Sequence, residues 1–391
     1  MTEAPLVVPQ QASDRNRNRI ILTLGQRGPL SRAELARLSG VSRTTIGTYV
    51  ERLLDDGLIE ELEAVAATGV RGRPSTPVWF RRDAARCGAV VFDRDRIDVG
   101  IVNARGEILA RAHAPAPRAA STDAYADAVE DLLDRVVAPQ AGLLGVGIGV
   151  GGVVSSDRGT VARLARFPAI DGDRLVQRIT AAAGAGVVIE NDAHCGALAE
   201  LWWGHGRLHR SFWTVQIGEG IGGCGVFDGE LTRGTRGHAG EIGHTTVDRG
   251  GRRCACGVDG CWETVAALPW LRREARDRRL RGWRSFTVER LARLAADGDD
   301  DARALAAAYA QNLAIGLTNL VHLVAPELIV LQGSVTAGGP HLLDLVRAGI
   351  GRRSLTGDDH GVELMLSELG SDARLLGAGA LVMSSTWSLD A

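Results

Sequence analysis

Apolar residues recur every three or four positions in three short segments near the start of the chain, which predicts three helices. The first, over residues 16–26, ends at a glycine-proline pair because proline cannot continue a helix. The second begins after Ser31, which forms a capping box with Glu34, and ends at Gly40. Ser42 caps the third helix. A short helix, a glycine-containing turn and a longer helix are typical of a helix-turn-helix.

The third helix presents a polar face that suits DNA. A cation and small hydroxyls on one face can reach phosphates and base edges in a major groove. These positions are Arg43, Thr44, Thr45, Thr48 and Tyr49. The alternative interpretation is that they are merely solvated polar residues.

The segment after the third helix favours DNA binding. Residues 58–61 and 77–80 have the pattern of two strands, and the loop between them carries Arg71 and Arg73 beside glycine and proline. We interpret this hairpin as a wing whose arginines enter a narrow minor groove. The alternative is a flexible basic loop.

From residue 83 onward, predicted strands alternate with helices. A meander of three strands runs from Cys87 to His113, and a second begins at Ser211, each with a loop between its first two strands. Two such units facing each other across a cleft are the plan of the actin-like ATPase fold, in which those loops hold nucleotide phosphates. Periodicity alone does not establish this fold, and specific motifs are needed.

Length and composition exclude several classes of protein. With 391 residues, 45% hydrophobic, 24% charged and a net charge of -2, the chain suits two or three globular domains. Residues 1–82 hold 12 Arg against 9 acidic residues, so the basic excess lies in the predicted DNA-binding segment. The chain has no lysine, which excludes a P-loop site, a Schiff-base enzyme and a protein kinase. Without an apolar stretch of about 18 residues or a signal-like start, we expect a soluble cytoplasmic protein with no membrane partner.

Three of the six cysteines lie close together. Cys254, Cys256 and Cys261 follow His244, and one His with three Cys is a closed tetrahedral set for a structural zinc. The glycines between them permit the tight turns that let thiolates converge. The alternative is a group of unrelated buried cysteines. We therefore predict Zn²⁺ as cofactor, in a reducing compartment.

A second motif, Asn191-Asp192, ends a predicted strand. In α/β proteins the carboxyl end of a strand is where ligands bind, so an amide and a carboxylate there suggest a binding site. The same pair could equally cap the helix predicted from Ala193 to Trp203.

With these motifs, the chain resembles the ROK family, which comprises repressors, uncharacterised reading frames and sugar kinases. The likeness rests on Asn191-Asp192, on Gly-Glu-Ile-Gly-His at 240–244 and on Cys-x-Cys-Gly-x-x-Gly-Cys-x-Glu at 254–263. It implies an α/β protein with an N-terminal winged helix-turn-helix, then a two-lobed actin-like ATPase (sugar kinase-like) fold with a structural zinc loop. The expected domains are 1–82 for DNA binding and 83–391 for the effector. Lobe one is expected at about 83–198 plus 371–391, and lobe two at about 199–370.

The resemblance also implies a sugar site between the lobes. The positions that match those holding sugar hydroxyls in the family are Asn191, Asp192, Glu241, His244 and Glu263. Carboxylates and an amide can each take neighbouring hydroxyls, and a His fixed on zinc through one nitrogen presents the other in a set direction. In the family's kinases, the residue at Asp192 is the general base.

The segments that correspond to the nucleotide-binding loops of the family's kinases depart from the family pattern. Kinases carry Asp-x-Gly-Gly-Thr in the first phosphate loop, whereas this chain has no glycine over 91–96. The Gly-Thr-Gly of the second loop becomes Gly218-Glu219-Gly220, which sets a carboxylate where a phosphate should lie. After the apolar strand at 328–331, only Gly333 remains of the usual glycine pair. We therefore predict that catalysis has been lost.

The sequence thus predicts a sugar-responsive transcriptional repressor of carbohydrate metabolism genes. It would bind palindromic operator DNA as a homodimer or homotetramer and sense a sugar or a sugar phosphate. Two alternatives remain: an ATP-dependent sugar kinase with an attached DNA-binding domain, and a DNA-binding scaffold whose cleft is vestigial.

Overall fold

The computed structural model describes residues 9–63, 76–93, 95–117, 121–156, 158–164, 169–235, 237–355 and 361–388. They fall into two compact units. Unit 1 contains the chain up to Gly152, Ser156–Glu190 and the segment from Ala378, and unit 2 contains Val153–Ser155 and Asn191–Gly377. Unit 2 therefore includes the Asn191-Asp192 motif and the whole helix Asp192–Trp203, whereas the predicted boundary between the lobes falls inside that helix, at about residue 198.

Unit 1 opens with three helices and a small antiparallel sheet. These elements are α1 (Pro9–Arg27), β1 (Leu30–Ser31), α2 (Arg32–Ser39), α3 (Arg43–Asp55), β2 (Ile59–Glu61) and β3 (Pro77–Phe80). β3 lies between β1 and β2 and is antiparallel to both. The capping box forms as predicted, since Ser31 Oγ accepts from Glu34 N at 3.3 Å and the Glu34 carboxylate accepts from Ser31 N at 2.9 Å. The predicted helix-turn-helix is confirmed, while Arg71 and Arg73 lie outside the described residues.

The polar face of α3 differs from the prediction at one position. Of the five predicted positions, Arg43, Thr44 and Thr48 are exposed. Thr45 is half-buried, and its hydroxyl lies 2.7 Å from Ser42 Oγ. Tyr49 was wrongly placed on the DNA side, because it follows Ile46 by three positions and shares the inner face with it, where Tyr49 is only 9% exposed.

The rest of unit 1 is built on a five-stranded sheet. Its elements are β4 (Cys87–Phe92), β5 (Arg96–Val102), β6 (Ile108–Pro115), α4 (Thr122–Val136), β7 (Val146–Val150), the first residue of β8 (Gly152–Ser155), β9 (Thr160–Leu164), α5 (Gly172–Ala183) and β10 (Val187–Asn191) up to Glu190. The strand order is β10-β7-β4-β5-β6. β4, β5 and β6 form the predicted antiparallel meander, and β7 runs parallel to β4.

Polar and aromatic contacts hold the winged helix against this sheet. Arg105, in the turn after β5, donates from Nε to Phe80 O at 2.5 Å and pairs with Glu60. The Phe80 ring stacks on Trp387, with centroids 6.0 Å apart and planes 7° from parallel. Asn18 of α1 donates to Ser388 O at 3.0 Å. Trp387 and Ser388 therefore contact the winged helix.

Unit 2 contains a second five-stranded sheet. Its elements are α6 (Asp192–Trp203), β11 (Phe212–Ile217), β12 (Ile221–Phe227), β13 (Glu230–Leu231), α7 (Glu263–Ala266), α8 (Leu268–Asp277), α9 (Val288–Ala296), α10 (Asp300–Val324), β14 (Leu328–Gly333), α11 (Gly339–Gly351), β15 (Glu363–Leu366) and the first turn of α12 (Ala373–Thr386). The strand order is β13-β12-β11-β14-β15. The first three strands form the second meander, and β14 and β15 run parallel to β11.

Helix α10 is long and apolar enough to cross a membrane by length and composition, and it is the single such helix among the described residues. Its side chains instead form much of the core of unit 2. Tyr309, Leu313 and Leu317 are fully buried there together with residues of α11. Such burial is typical of the core helix of a globular domain.

Candidate functional site

A cluster of one His and three Cys lies in the segment between β13 and the end of the Cys-rich loop. A ring nitrogen of His244 and the sulfurs of Cys254, Cys256 and Cys261 all lie within 4.8 Å of one another. Cys254 Sγ is 3.5 Å from His244 Nδ1, and Cys256 Sγ is 3.6 Å from Cys261 Sγ. Four ligands on a tetrahedron with zinc–sulfur bonds of about 2.3 Å lie about 3.8 Å apart. The spacing and the donor set both fit zinc.

The backbone conformation of this loop brings the cysteine side chains close to one another. Gly260 has a φ of +76°, and a Cβ there would lie 1.5 Å from Asp248 O, so no other residue fits. Burial raises the pKa values of the Cys254 and Cys261 thiols. A metal that binds here must therefore displace protons from these sulfurs.

Two carboxylates flank the cluster. His244 directs Nδ1 to the thiols, while its Nε2 lies 3.8 Å from Glu241 Oε2. Glu263 Oε1 lies 3.7 Å from His244 Nδ1 and accepts from Cys254 Sγ at 2.9 Å. Burial raises the pKa of the Glu241 carboxyl, His244 acts against this, and the charge of Asp192 raises it further. Asp192 and the two glutamates therefore belong to one electrostatic environment.

Asn191 and Asp192 have different roles at the start of α6. Asn191 Oδ1 accepts hydrogen bonds from the backbone N–H groups of Ala193 at 2.8 Å and His194 at 3.4 Å. Asn191 therefore caps the helix, which is one of the two roles that the sequence predicted for this motif. Asp192 is not used in the cap. Its Oδ2 lies 3.5 Å from Arg374 Nη1, and the two side chains are 17% and 18% exposed.

The structure adds residues to the site that the sequence motifs did not indicate. His194 is buried, and its Nε2 lies 3.0 Å from Ala239 O, which fixes the chain just before Gly240. Gly240 has a φ of +98°, and a Cβ there would lie 1.9 Å from Gly223 O. This close approach orients Glu241. Arg374 is the other addition, and it is 182 residues away from Asp192 in sequence.

The loop Gly218-Glu219-Gly220, which the resemblance matches to the second phosphate loop of the kinases, contains an ion-paired carboxylate. Glu219 Oε1 lies 2.6 Å from Arg272 Nη1, and the Glu219 side chain is only 16% exposed. Gln332, on β14 just before Gly333, donates from Nε2 to Gly196 O at 3.1 Å and to Glu200 Oε1 at 3.0 Å. The Glu219 carboxylate thus lies at the position that the resemblance matches to the threonine of the kinases' Gly-Thr-Gly loop.

Sequence comparison decides the family. The ROK family model matches residues 87–385, and a winged helix-turn-helix DNA-binding model matches residues 13–60. The chain belongs to the ROK family. A xylose repressor of Caldicellulosiruptor bescii is 26% identical over 389 residues, covering 95% of this chain and 96% of the repressor. A glucokinase of Streptomyces coelicolor is 32% identical over 310 residues, covering 73% of this chain and 94% of the kinase.

A solved structure shares the fold over nearly the whole chain. A ROK family transcriptional regulator, described as a homolog of the E. coli MLC protein, has a TM-score of 0.77 and 24% identity. It covers 96% of this chain and 97% of that one. The resemblance and the fold class that the motifs predict are confirmed.

Proposed function

We propose that this ROK protein is a sugar-responsive, DNA-binding transcriptional repressor of carbohydrate metabolism genes that acts in the cytoplasm. The observation that carries the proposal is the likeness to a xylose repressor from end to end, winged helix included. The arrangement of unit 2 supports the sensing role, since carboxylates, an imidazole and a helix N-terminus meet in one place.

The proposed sugar contacts are the five positions Asn191, Asp192, Glu241, His244 and Glu263. Ionised carboxylates accept hydrogen bonds, and sugar hydroxyls are donors, so Asp192 and the two glutamates can each hold one or two hydroxyls. Zinc, held by His244 and the three cysteines, would supply a structural crosslink that keeps Glu241 and Glu263 in place.

The same geometry argues against phosphoryl transfer. Catalysis of that reaction depends on positioning the phosphates and neutralising their charge. Glu219 brings a negative charge to the loop that matches the second phosphate loop, and its carboxylate pairs with the Arg272 guanidinium. Asp192 then serves as a hydroxyl acceptor, although it matches the kinase base.

The kinase alternative has a direct test. We expect no ATP- and Mg²⁺-dependent phosphorylation of glucose or xylose, measured as ADP release by the full-length protein.

A parallel DNA-binding assay tests the sensing role. A sugar should change the affinity of the protein for DNA selected from a random-sequence pool. The Asp192→Ala variant should bind this DNA normally without sugar, but its affinity should no longer change when sugar is added. Turnover in the natural protein that disappears in Asp192→Ala would show that the kinase alternative is correct.

DNA binding should depend on the wing and on α3. We expect a dimer that binds a palindrome, and Arg73→Ala should lower its affinity about 10-fold if the wing occupies a minor groove. Arg43→Ala should weaken binding similarly, because Arg43 is exposed at the start of α3. Gel-shift titration at fixed salt measures both.

The matched control is Arg135→Ala, which removes an exposed arginine of α4 that pairs with Asp131. Its DNA affinity should be unchanged. Equal affinities of the Arg73 and Arg135 variants would refute the wing assignment.

A further inference from the structure

The connection between α8 and α9 carries a concentrated positive charge. Residues 278–287, which form this loop, include four arginines and no acidic residue, although the whole chain has a net charge of -2. Arg278 pairs with Glu274. The other three are Arg279, Arg281 and Arg284, and all are exposed. Among the described side chains, no carboxylate forms an ion pair with these three.

The loop is anchored in the apolar core, so it presents its arginines on a fixed support. Leu280 is 3% exposed and Phe286 is 0% exposed, and both belong to the core of unit 2. Arg290 of α9 donates from Nε to Arg281 O at 2.7 Å. Gly282 has a φ of +78°, and a Cβ there would lie 2.2 Å from Arg290 Cζ, so the loop packs closely against the Arg290 side chain.

One of the three arginines lies over an aromatic ring. Arg284 Cζ is 4.9 Å from the centroid of the Trp283 ring. This contact uses the face of the guanidinium and leaves the N–H groups at its edge available for hydrogen bonds. Phosphate oxygens accept such hydrogen bonds in pairs, because their spacing matches the N–H groups of one guanidinium. The loop therefore presents donors that suit phosphate groups.

Charge complementarity indicates the class of partner. Neighbouring arginines without carboxylates repel one another, and a bound polyanion converts this repulsion into attraction. Duplex DNA carries one negative charge per about 1.7 Å of its axis, so several phosphates can reach one group of cations. The chain also contains a winged helix-turn-helix DNA-binding module, which raises the effective concentration of DNA near the rest of the protein. These observations favour DNA over an acidic protein or an anionic membrane.

We propose that the loop 278–287 is a second DNA-contacting surface, which binds phosphates without reading sequence. Arg279, Arg281 and Arg284 bind phosphates other than those that the winged helix contacts. The inference rests on the proposed DNA-binding function and extends it to unit 2.

Gel-shift titration of the full-length protein at several salt concentrations tests this inference. The test variant combines Arg279→Ala, Arg281→Ala and Arg284→Ala. The probes are DNA selected from a random-sequence pool and a duplex of the same length with shuffled sequence. Each phosphate contact contributes about 0.9 to the slope of log affinity against log salt concentration, so the slope should become shallower by about 2 to 3. Affinity at low salt should fall about 10-fold or more, by the same factor for both duplexes.

The matched control combines Arg135→Ala, Arg174→Ala and Arg210→Ala. It removes the same total charge from three exposed arginines that pair with carboxylates elsewhere on the surface. Its affinity and its salt dependence should equal those of the natural protein. Lysine at the three loop positions keeps the charge, so that variant should keep the natural slope, which simple damage to the loop would not produce.

Three outcomes are decisive against these expectations. A loop variant that matches the control in affinity and in salt dependence would overturn the inference while leaving DNA binding by the winged helix intact. Unchanged DNA affinity together with lost binding to phosphatidylglycerol vesicles would also overturn it, because the partner would then be a membrane surface. If the natural protein binds neither duplex, the proposed DNA-binding function itself is wrong.

Discussion

Replacing Glu200 with Ala is expected to lower the free energy of unfolding of unit 2 by about 3–5 kcal/mol. Glu200 is fully buried near the end of α6. Its Oε1 accepts from Gln332 Nε2 at 3.0 Å and from Ser367 Oγ at 2.5 Å, and its Oε2 accepts from His205 N at 2.9 Å. Truncation would leave three buried donors without this acceptor, as well as a cavity. The carboxylate joins α6, β14 and the end of β15, so its loss should loosen the helix that begins with Asp192.

Urea unfolding followed by tryptophan fluorescence can measure this effect. Six of the eight tryptophans belong to unit 2, so the signal reports mainly on that unit. They are Trp202, Trp203, Trp213, Trp262, Trp270 and Trp283. Glu200→Gln keeps the shape of the side chain and one acceptor oxygen. We therefore expect its free energy of unfolding to lie between those of the natural protein and Glu200→Ala.

The control for this prediction is Glu274→Ala, which breaks the partly exposed pair between Glu274 of α8 and Arg278, the residue that caps the end of this helix. That change should cost less than about 1 kcal/mol. A Glu200→Ala midpoint equal to that of the Glu274 variant would show that the buried network does not stabilise the unit.

The parts of this fold that the sequence predicted are those determined by neighbouring residues. The capping box of Ser31 and Glu34 requires only a spacing of three, and the two meanders follow from alternation and glycine turns. The His-Cys cluster was predictable for the same reason, because three of its four residues fall within eight positions. Local chemistry therefore indicated both the DNA-binding module and a cluster that could hold a metal ion.

Contacts between distant segments could not be predicted in this way. Arg374 gives no sign in the sequence of pairing with Asp192, because its position depends on how α12 packs against α6. The Glu200 network likewise joins residues 132 and 167 positions apart. Tyr49 was misplaced because a tyrosine fits either face of an amphipathic helix, and only packing of α3 decides which.

Removing the metal is expected to abolish the sugar response while leaving DNA binding largely intact. Glu241 and Glu263 lie three and two residues from His244 and Cys261, in a segment rich in glycine. Backbone hydrogen bonds such as Val247 N to Gly260 O and Trp262 N to Thr245 O hold parts of this loop, but the metal would be the link that joins His244 to the three cysteines. We therefore expect sugar affinity to fall by about 100-fold when the metal is removed. The winged helix belongs to unit 1 and contains none of the cluster residues.

The measurement combines elemental analysis with two binding titrations. Freshly purified protein should contain one zinc per chain, and Cys261→Ser or dialysis against a chelator should remove it. Sugar binding by calorimetry should then be lost, DNA binding by gel shift should persist, and added zinc should restore the sugar response of the dialysed protein.

Cys224→Ser is the matched control, because Cys224 is also fully buried in unit 2 but lies on β12, outside the cluster. It should keep its zinc and its sugar affinity. Two results would contradict the prediction: fresh protein without stoichiometric zinc, or a metal-free protein that still binds sugar. The second would mean that the close backbone approach of Gly240 to β12, rather than the metal, holds Glu241 in place.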